Sequence, residues 1–144
     1  MQIGIIGLAL ALSTVSSVAQ PSSGWMSGEA IKTTFAGTTI DGIYGDGLTF
    51  TETYADTGDI VYQDTRKAMT GRWSIINQSF CTLYSGGISG GCFKVVRQSA
   101  NCFEFYFQSS TEAEAANPTP GQPTWTARGW NKVRPSTCDE KPTA

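Results

Sequence analysis

Hydrophobic and polar positions follow two different periods along the chain. Ile31 and Phe35 share one face at helical spacing, after Ser27, which can cap the start of a helix, and before Gly37, which can close it in the left-handed conformation. From Thr38 onward, aromatic and β-branched residues follow a period of two, interrupted by Gly and Asp. The pattern therefore predicts one short helix followed by antiparallel strands with short connections.

These elements predict a mainly β fold. We expect a small antiparallel sheet of about seven or eight strands, curled into a barrel or half-barrel, with the helix capping one end. Residues 27–138 would form one domain, with 20–26 as a linker before it, 109–123 as a mobile connection within it and 139–144 as a tail. A domain of this size buries about two thirds of its unfolded surface, which together with disulfides is enough for independent stability.

The four cysteines predict two disulfides. Cys81 lies directly opposite Cys92 if residues 85–88 form the loop of a hairpin, and Cys102 then remains to pair with Cys138. Four cysteines allow three pairings, so this connectivity is a preference among them. An even number of cysteines without a Cys-x-x-Cys spacing favours structural disulfides in an oxidising compartment over zinc ligands or a nucleophile.

A second hairpin is predicted with its loop at residues 97–101. The pairs placed opposite each other are Val96 and Cys102, Lys94 and Glu104, and Phe93 and Phe105. This register pairs opposite charges and aromatic rings, which stabilises adjacent strands. It also gathers an apolar stripe on one face, which we assign to the core. The residues of this stripe are Phe93, Val95, Phe103, Phe105 and Phe107.

The start of the chain is typical of an export signal. An apolar run over residues 3–12 is followed by a more polar stretch that ends Ser17-Val18-Ala19, with small residues where signal peptidase needs them. We expect cleavage before Gln20 and a periplasmic or secreted product, although no Lys or Arg precedes the apolar run. A membrane anchor is the alternative, but the run is shorter than the ~20 residues of a spanning helix, so no stable membrane span is expected after cleavage.

Charge and composition narrow the function classes. The 144 residues carry 10 Lys and Arg against 12 Asp and Glu, a net charge of -2, which lacks the basic excess that nucleic-acid binding requires. The chain has no His, which removes the commonest general base, the usual catalytic triads and most zinc sites. We expect a non-enzymatic protein without a metal or other cofactor.

One triplet matches a catalytic motif. Asp56-Thr57-Gly58 has the sequence of the aspartic protease triplet, in which two carboxyl groups share one proton. In that family an apolar strand leads into the Asp, whereas here Tyr54-Ala55 precedes it and Asp59 follows it. We interpret the triplet as a polar hairpin turn, so that an aspartic-type hydrolase is only a distant third possibility for the function.

The other acidic residues are also assigned to turns and loops. Six of them occur between Lys32 and Arg66 without an intervening basic residue, and their oxygens suit calcium, but their spacing follows no calcium loop. We assign them to solvated turns. These six are Asp41, Asp46, Glu52, Asp56, Asp59 and Asp64. Glu112 and Glu114 fall in the predicted connection and do not support paired-carboxylate glycosidase chemistry.

Aromatic and guanidinium side chains are the candidates for ligand or partner binding, since such groups are enriched at interfaces. The candidates are Arg72, Trp73, Tyr84, Trp125, Arg128 and Trp130. The alternative is that the tryptophans belong to the core or rim of the sheet, with arginine stems covering them. The glycine-rich segment 85–91 is either an adaptable binding loop or a flexible hairpin end.

The order of several short motifs resembles a family of small exported proteobacterial proteins known as a domain of unknown function. The motifs are Ser27–Ile31, Phe35–Thr39, Phe50–Asp56, Gly71–Ile75, Phe80-Cys81 and Cys92–Val95. This chain departs from the family pattern by an extra residue at Asp56-Thr57-Gly58, and in its Pro-rich connection and its tail with Cys138. The resemblance implies a periplasmic β-domain, and it supplies no activity or catalytic residue.

The functional expectation is an exported β-domain that binds a small apolar ligand or an envelope component inside or at the rim of its sheet. The alternative is a secreted protein–protein interaction module, such as a hydrolase inhibitor, that presents the segment 85–91. A barrel filled by side chains, with no cavity, would argue against the small-ligand version.

Overall fold

The computed structural model describes residues 24–110 and 123–138, which form one short helix followed by eight strands. In chain order the elements are α1 (Gly28–Phe35), β1 (Thr38–Tyr44), β2 (Thr49–Tyr54), β3 (Asp59–Asp64), β4 (Ala68–Ile76), β5 (Ser79–Tyr84), β6 (Ile88–Ser99), β7 (Cys102–Phe107) and β8 (Ala127–Asn131). The predicted segments that lie wholly or largely outside the described residues are the signal 1–19, the linker 20–26, the connection 109–123 and the tail 139–144.

The strands form a closed antiparallel barrel. Each strand pairs with the next in sequence, and β8 pairs with β1, from Ile40 opposite Asn131 to Tyr44 opposite Ala127. This confirms the predicted β fold and shows that the sheet closes into a full barrel rather than a half-barrel. An eight-stranded barrel is just wide enough for its inward side chains to fill it or to leave room for one small ligand.

Helix α1 plugs one end of the barrel. The Ser27 hydroxyl accepts a hydrogen bond from the Ala30 N–H at 3.1 Å, and Gly37 adopts a positive φ of 71° where the chain leaves the helix, both as predicted. Ile31 and Phe35 project into the barrel and are fully buried. The Phe35 ring has its centroid 5.0 to 5.8 Å from four other rings, those of Tyr54, Phe80, Phe103 and Phe105.

Both predicted disulfides are present. Cys81 and Cys92 lie directly opposite each other on β5 and β6, with an S–S distance of 2.05 Å. Cys102 and Cys138 are joined at 2.01 Å, which ties the segment after β8 to the start of β7. Because Cys102 and Cys138 are 36 positions apart, this bond closes the longer loop of the two.

The predicted register of β6 and β7 is wrong by two residues. The pairs observed are Val96 with Glu104, Lys94 with Tyr106, and Phe93 with Phe107. Strand β6 extends to Ser99, and the register shifts between Arg97 and Ser99, so the connection is a tight turn rather than a five-residue loop.

Asn101 accounts for this difference. Its side-chain amide donates to the carbonyl oxygens of Asn131, Arg134 and Pro135 at 2.9 to 3.2 Å, and its Oδ1 accepts from the Asn131 N–H at 2.9 Å. These bonds anchor the turn to the segment after β8. Local pairing preferences could not predict them, because the partners lie some thirty positions away in the sequence.

The apolar stripe is confirmed in its central part and wrong at one end. Val95, Phe103 and Phe105 are buried inside the barrel, whereas Phe93 is half-buried and Phe107 is 52% exposed. Phe107 is the last residue of β7, at the end of the barrel away from the helix, where the strand leaves the wall.

The outward face of β7 is buried as well. Tyr106 lies edge-on to Trp25, with ring centroids 5.4 Å apart, and its hydroxyl donates to Glu104 at 2.7 Å. Arg128 of β8 forms an ion pair with the same carboxylate at 2.5 Å. The segments before α1 and after β8 therefore cover one side of the barrel, and the run Cys102–Tyr106 is buried on both faces.

The Asp56-Thr57-Gly58 triplet is a turn, as interpreted. It connects β2 to β3, and the Gly58 N–H donates to the carbonyl of Ala55 at 2.9 Å with Gly58 at a φ of 88°. Within the described residues, no helix has the length and apolarity needed to cross a membrane.

Candidate functional site: a tyrosine-lined cavity

A cavity of about 250 Å³ occupies the half of the barrel opposite the helix. Its mouth lies among the four connections at that end, and the lining residues adjoining them are Tyr44, Lys67, Ile88 and Thr126. Its floor is formed by the rings of Tyr54, Phe80 and Phe105, which contact Phe35 on their other side. One layer of aromatic rings thus separates the helical plug from the cavity.

Inward-facing glycines let the large rings of this half fit within the wall. A Cβ atom at Gly42 would lie 2.3 Å from Cζ of Phe50, and one at Gly90 would lie 1.9 Å from Oγ1 of Thr82. A side chain at either position would displace a lining residue, because such contacts are far inside van der Waals distance. The glycines therefore help to determine where the lining groups stand.

The polar centre of the cavity is Glu52, in the middle of β2. Strand alternation points it inward between Phe50 and Tyr54, and it is 7% exposed. Its Oε2 accepts a hydrogen bond from the Tyr54 hydroxyl at 2.5 Å, and its Oε1 accepts one from the Tyr84 hydroxyl. Burial raises the pKa of Glu52, while the two tyrosine hydrogen bonds act in the opposite direction.

The tyrosines of this half remain neutral hydrogen-bond donors at physiological pH. Burial raises the pKa of Tyr44 to about 12, and it also raises the pKa values of Tyr54, Tyr62 and Tyr84. Their hydroxyl groups can therefore donate to an acceptor without adding negative charge to the cavity.

Charges of both signs surround the mouth. The Tyr62 hydroxyl donates to Asp64 at 2.8 Å, and the Lys67 ammonium lies 5.9 Å from the centroid of the Tyr62 ring. Glu52 and Lys67 are the two charged residues of the described lining, one deep and one at the rim. A ligand in this cavity would meet apolar rings on its sides and a carboxyl group at depth.

Three of the predicted binding residues occupy different positions near β4 and β5. Tyr84 lines the cavity and donates to Glu52. Trp73 is buried beside the helical plug, where its Nε1 donates to the carbonyl of Ala55 at 2.9 Å, so for this residue the core alternative is correct. Arg72 lies on the surface and forms an ion pair with Asp59 at 2.6 Å.

The other three lie on or near β8, outside the cavity. The Arg128 guanidinium stands 4.9 Å from the centroid of the Trp125 ring, and it donates to Glu104 and to the carbonyl oxygen of Cys138. Trp130 lines a separate groove on the outer wall, together with mainly polar residues that belong to β1, β2 and β3. Of the six candidates, only Tyr84 lines the cavity, and Trp73 belongs to the core. A binding role for the remaining four residues stays a prediction.

Sequence reasoning missed the central residue of the cavity. Glu52 was assigned with five other acids to solvated turns, and this assignment is wrong because Glu52 is buried inside the barrel. The available signal was its position between Phe50 and Tyr54, which at a period of two places it on the apolar face of the strand. Tyr44 and Tyr62, which also line the cavity, were not among the predicted site residues. Among the described acids and cysteines, no group of three could hold a metal ion.

Comparison with known proteins adds no further assignment. No protein-family model matches the chain, and no curated protein has a significantly similar sequence.

Proposed function

We propose that this protein binds a small, largely apolar molecule inside its barrel. The observation that carries the proposal is the cavity of about 250 Å³ in a barrel whose other half is filled by Ile31 and Phe35. Most of its described lining consists of aromatic and aliphatic side chains, with a few polar groups, which is the usual composition of a small-molecule site. Its size is below the range of drug-sized pockets and suits a compact molecule.

The proposed setting is outside the cytoplasm. Two disulfides suit an oxidising compartment, and the apolar first residues suit export. The ligand would then be a small molecule of the periplasm, of the envelope or of the extracellular medium. We propose binding rather than catalysis because Glu52 is the single carboxyl group in the described lining, whereas the paired-carboxylate chemistry of aspartic proteases and glycosidases requires two.

The proposal can be tested by filling the cavity. Ala127 is buried in β8 and lines the cavity, so Ala127→Leu should occupy the ligand space. The matched control is Ala68→Leu, the same change at an exposed position of β4. With 2-phenylethanol as probe, we expect dose-dependent NMR shifts at the backbone amides of Gly90 and Thr126 in the wild type and in Ala68→Leu, and none in Ala127→Leu.

Two results would contradict the proposal. One is the absence of shifts at these amides in the wild type up to millimolar probe, and the other is unchanged binding in a folded Ala127→Leu protein. Native mass spectrometry of the exported protein provides a second readout, because a co-purified ligand would add mass that is lost on denaturation.

A protein–protein interaction module remains the second candidate, and one observation favours it. Leu83 and Ile88, on either side of the β5–β6 turn, are each 54% exposed, and the Cys81–Cys92 disulfide holds that hairpin rigid. If the chain inhibits a secreted hydrolase through this hairpin, Leu83→Ser should abolish inhibition while Ala127→Leu leaves it unchanged. The opposite result would favour the cavity.

A further inference from the structure

We infer that the ligand of the cavity carries a protonated amine, and that Glu52 is its counter-charge. This inference rests on the proposed function, and adds to it the chemical class of the ligand. It follows from the hydrogen bonding of Glu52, from the absence of a cationic partner for it among the described residues, and from the rings that surround it.

The hydrogen bonds to Glu52 do not use the full accepting capacity of a carboxylate. An ionised carboxyl group can accept about four hydrogen bonds, and Glu52 accepts two, from Tyr54 and Tyr84. Both donors are neutral hydroxyl groups. They orient the carboxylate and leave acceptor positions free at the edge of the cavity, which Glu52 itself lines.

Among the described residues, Glu52 has no basic partner. A carboxylate at 7% exposure is costly unless a cation compensates it or the group takes up a proton, and the raised pKa of Glu52 reflects this cost. In residues 24–110 and 123–138, the ion pairs formed by Arg or Lys involve Asp41, Asp59, Asp64 and Glu104, and none involves Glu52. Glu104, the other buried glutamate, has both a tyrosine donor and an arginine. Glu52 has the tyrosines and lacks the cation, which a ligand ammonium would supply.

Aromatic side chains form the walls of the cavity. The rings of Tyr44, Phe50, Tyr62 and Tyr84 follow one another around the cavity, with successive centroids 4.6, 6.0 and 5.8 Å apart. Aromatic faces attract cations, most strongly where water is excluded. The same rings accommodate an apolar body. A carboxylate surrounded by aromatic side chains therefore suits an amine that carries a short aromatic or alkyl group.

A negatively charged ligand is disfavoured by the same arrangement. It would place a second anion beside Glu52 in the barrel, and like charges at close range repel strongly where the dielectric constant is low. Lys67 is the one basic residue of the described lining, and its ammonium lies at the rim over Tyr62 rather than at depth.

Three probes with the same phenyl body and different end groups test the inference. They are phenethylamine, a cation, 2-phenylethanol, which is neutral, and 3-phenylpropanoate, an anion. By isothermal titration calorimetry at pH 7.5, we expect the amine to bind the wild-type protein at least about tenfold more tightly than the alcohol, and the anion to bind most weakly.

Glu52→Gln should remove this preference. We expect the variant to bind the amine and the alcohol within about threefold of each other. Comparison of its backbone amide spectrum with that of the wild type shows whether the variant is folded. Asp56→Asn is the matched control, because it makes the same change in net charge at an exposed turn at the helical end, and it should keep the full preference for the amine.

The outcomes separate the two proposals. If the alcohol binds the wild type and the amine binds no more tightly, the charge assignment is overturned while the binding function stands. The same holds if Glu52→Gln keeps the preference for the amine. If none of the probes shifts the amides that line the cavity, the binding function itself is overturned. The three-probe comparison in the wild type stands without any variant.

Discussion

The two halves of the barrel are built from the same eight strands and use their interior differently. At the helical end, Ile31 and Phe35 fill the space, and Phe35 packs against four rings. At the opposite end, inward positions carry Glu52, Thr82 and Tyr84 around a cavity. The helical half is packed with apolar side chains. The opposite half contains the cavity and a buried carboxyl group, and both of these lower stability.

This contrast shows where the stability of the protein arises. The cavity and the uncompensated acid are tolerated only if other contacts offset their cost. Features that conflict with ideal packing in this way are expected at functional sites. The helical plug and the Cys102–Cys138 disulfide at the start of β7 provide such contacts.

The largest difference is expected for loss of an aromatic ring. Phe35→Ala should lower the free energy of unfolding by about 3 to 5 kcal/mol, because the site is buried and surrounded by rings that cannot close the gap. Phe93→Ala, at a half-buried position that lines the cavity, should cost about 1 to 2 kcal/mol. Urea denaturation measures both values.

Val133→Ala serves as the reference for that experiment, since Val133 is 85% exposed and the change should stay within about 0.5 kcal/mol. An equal or larger loss for Phe93→Ala would show that the cavity end carries as much of the stability as the helical end.

A smaller difference is expected for the two hydroxyl groups bound to Glu52. Tyr54→Phe should cost about 1 to 3 kcal/mol, because the Tyr54 hydroxyl is deeply buried and its loss leaves a carboxyl oxygen without that donor. Tyr84→Phe should cost less, since water in the cavity can replace its hydroxyl. Thermal and urea unfolding of both variants test the order, and a greater loss in Tyr84→Phe would contradict it.

The smallest effect on the free energy of unfolding at any single pH is expected for Glu52→Gln. What this variant should change is the way in which that free energy depends on pH. Burial raises the folded-state pKa of Glu52, so folding favours the protonated acid. This contribution is fully present below the ordinary glutamate pKa near 4.5 and is lost as the pH rises through the raised value. The groups facing Glu52 are tyrosines whose own pKa values are raised by burial, so they stay protonated over this range.

Unfolding midpoints from pH 4 to pH 8 measure this effect. The stability of Glu52→Gln relative to the wild type should increase with pH, because the variant has no carboxyl group to ionise inside the barrel. Parallel curves for the two proteins would show that Glu52 titrates alike in the folded and unfolded chains.

Much of the fold could be predicted because its signals are local. The spacing of Ile31 and Phe35 with the cap at Ser27 predicted α1, and period-two alternation predicted the strands. The Cys81–Cys92 bond followed from hairpin geometry. The register of β6 and β7 could not be predicted, because the turn between them is held by Asn101 contacts to residues after β8.

The candidate site was less accessible to sequence reasoning. Glu52 and Tyr84 are 32 positions apart and meet only because the sheet curls until β2 and β5 face each other across the barrel. Their positions on the inward face could be derived from alternation, but which inward residues surround empty space depends on the volume of every other inward side chain.

Closure of the barrel by β1 and β8 has a consequence for folding kinetics. Every other strand pair joins neighbours in the sequence, whereas this one joins the two ends of the described sheet. Such a contact carries the largest loop-closure entropy and is expected to form late. Until β8 docks, β1 and β7 each present an unpaired edge that can recruit another chain. A chain truncated before Ala127 would keep both edges permanently, and should aggregate more readily than the full-length protein.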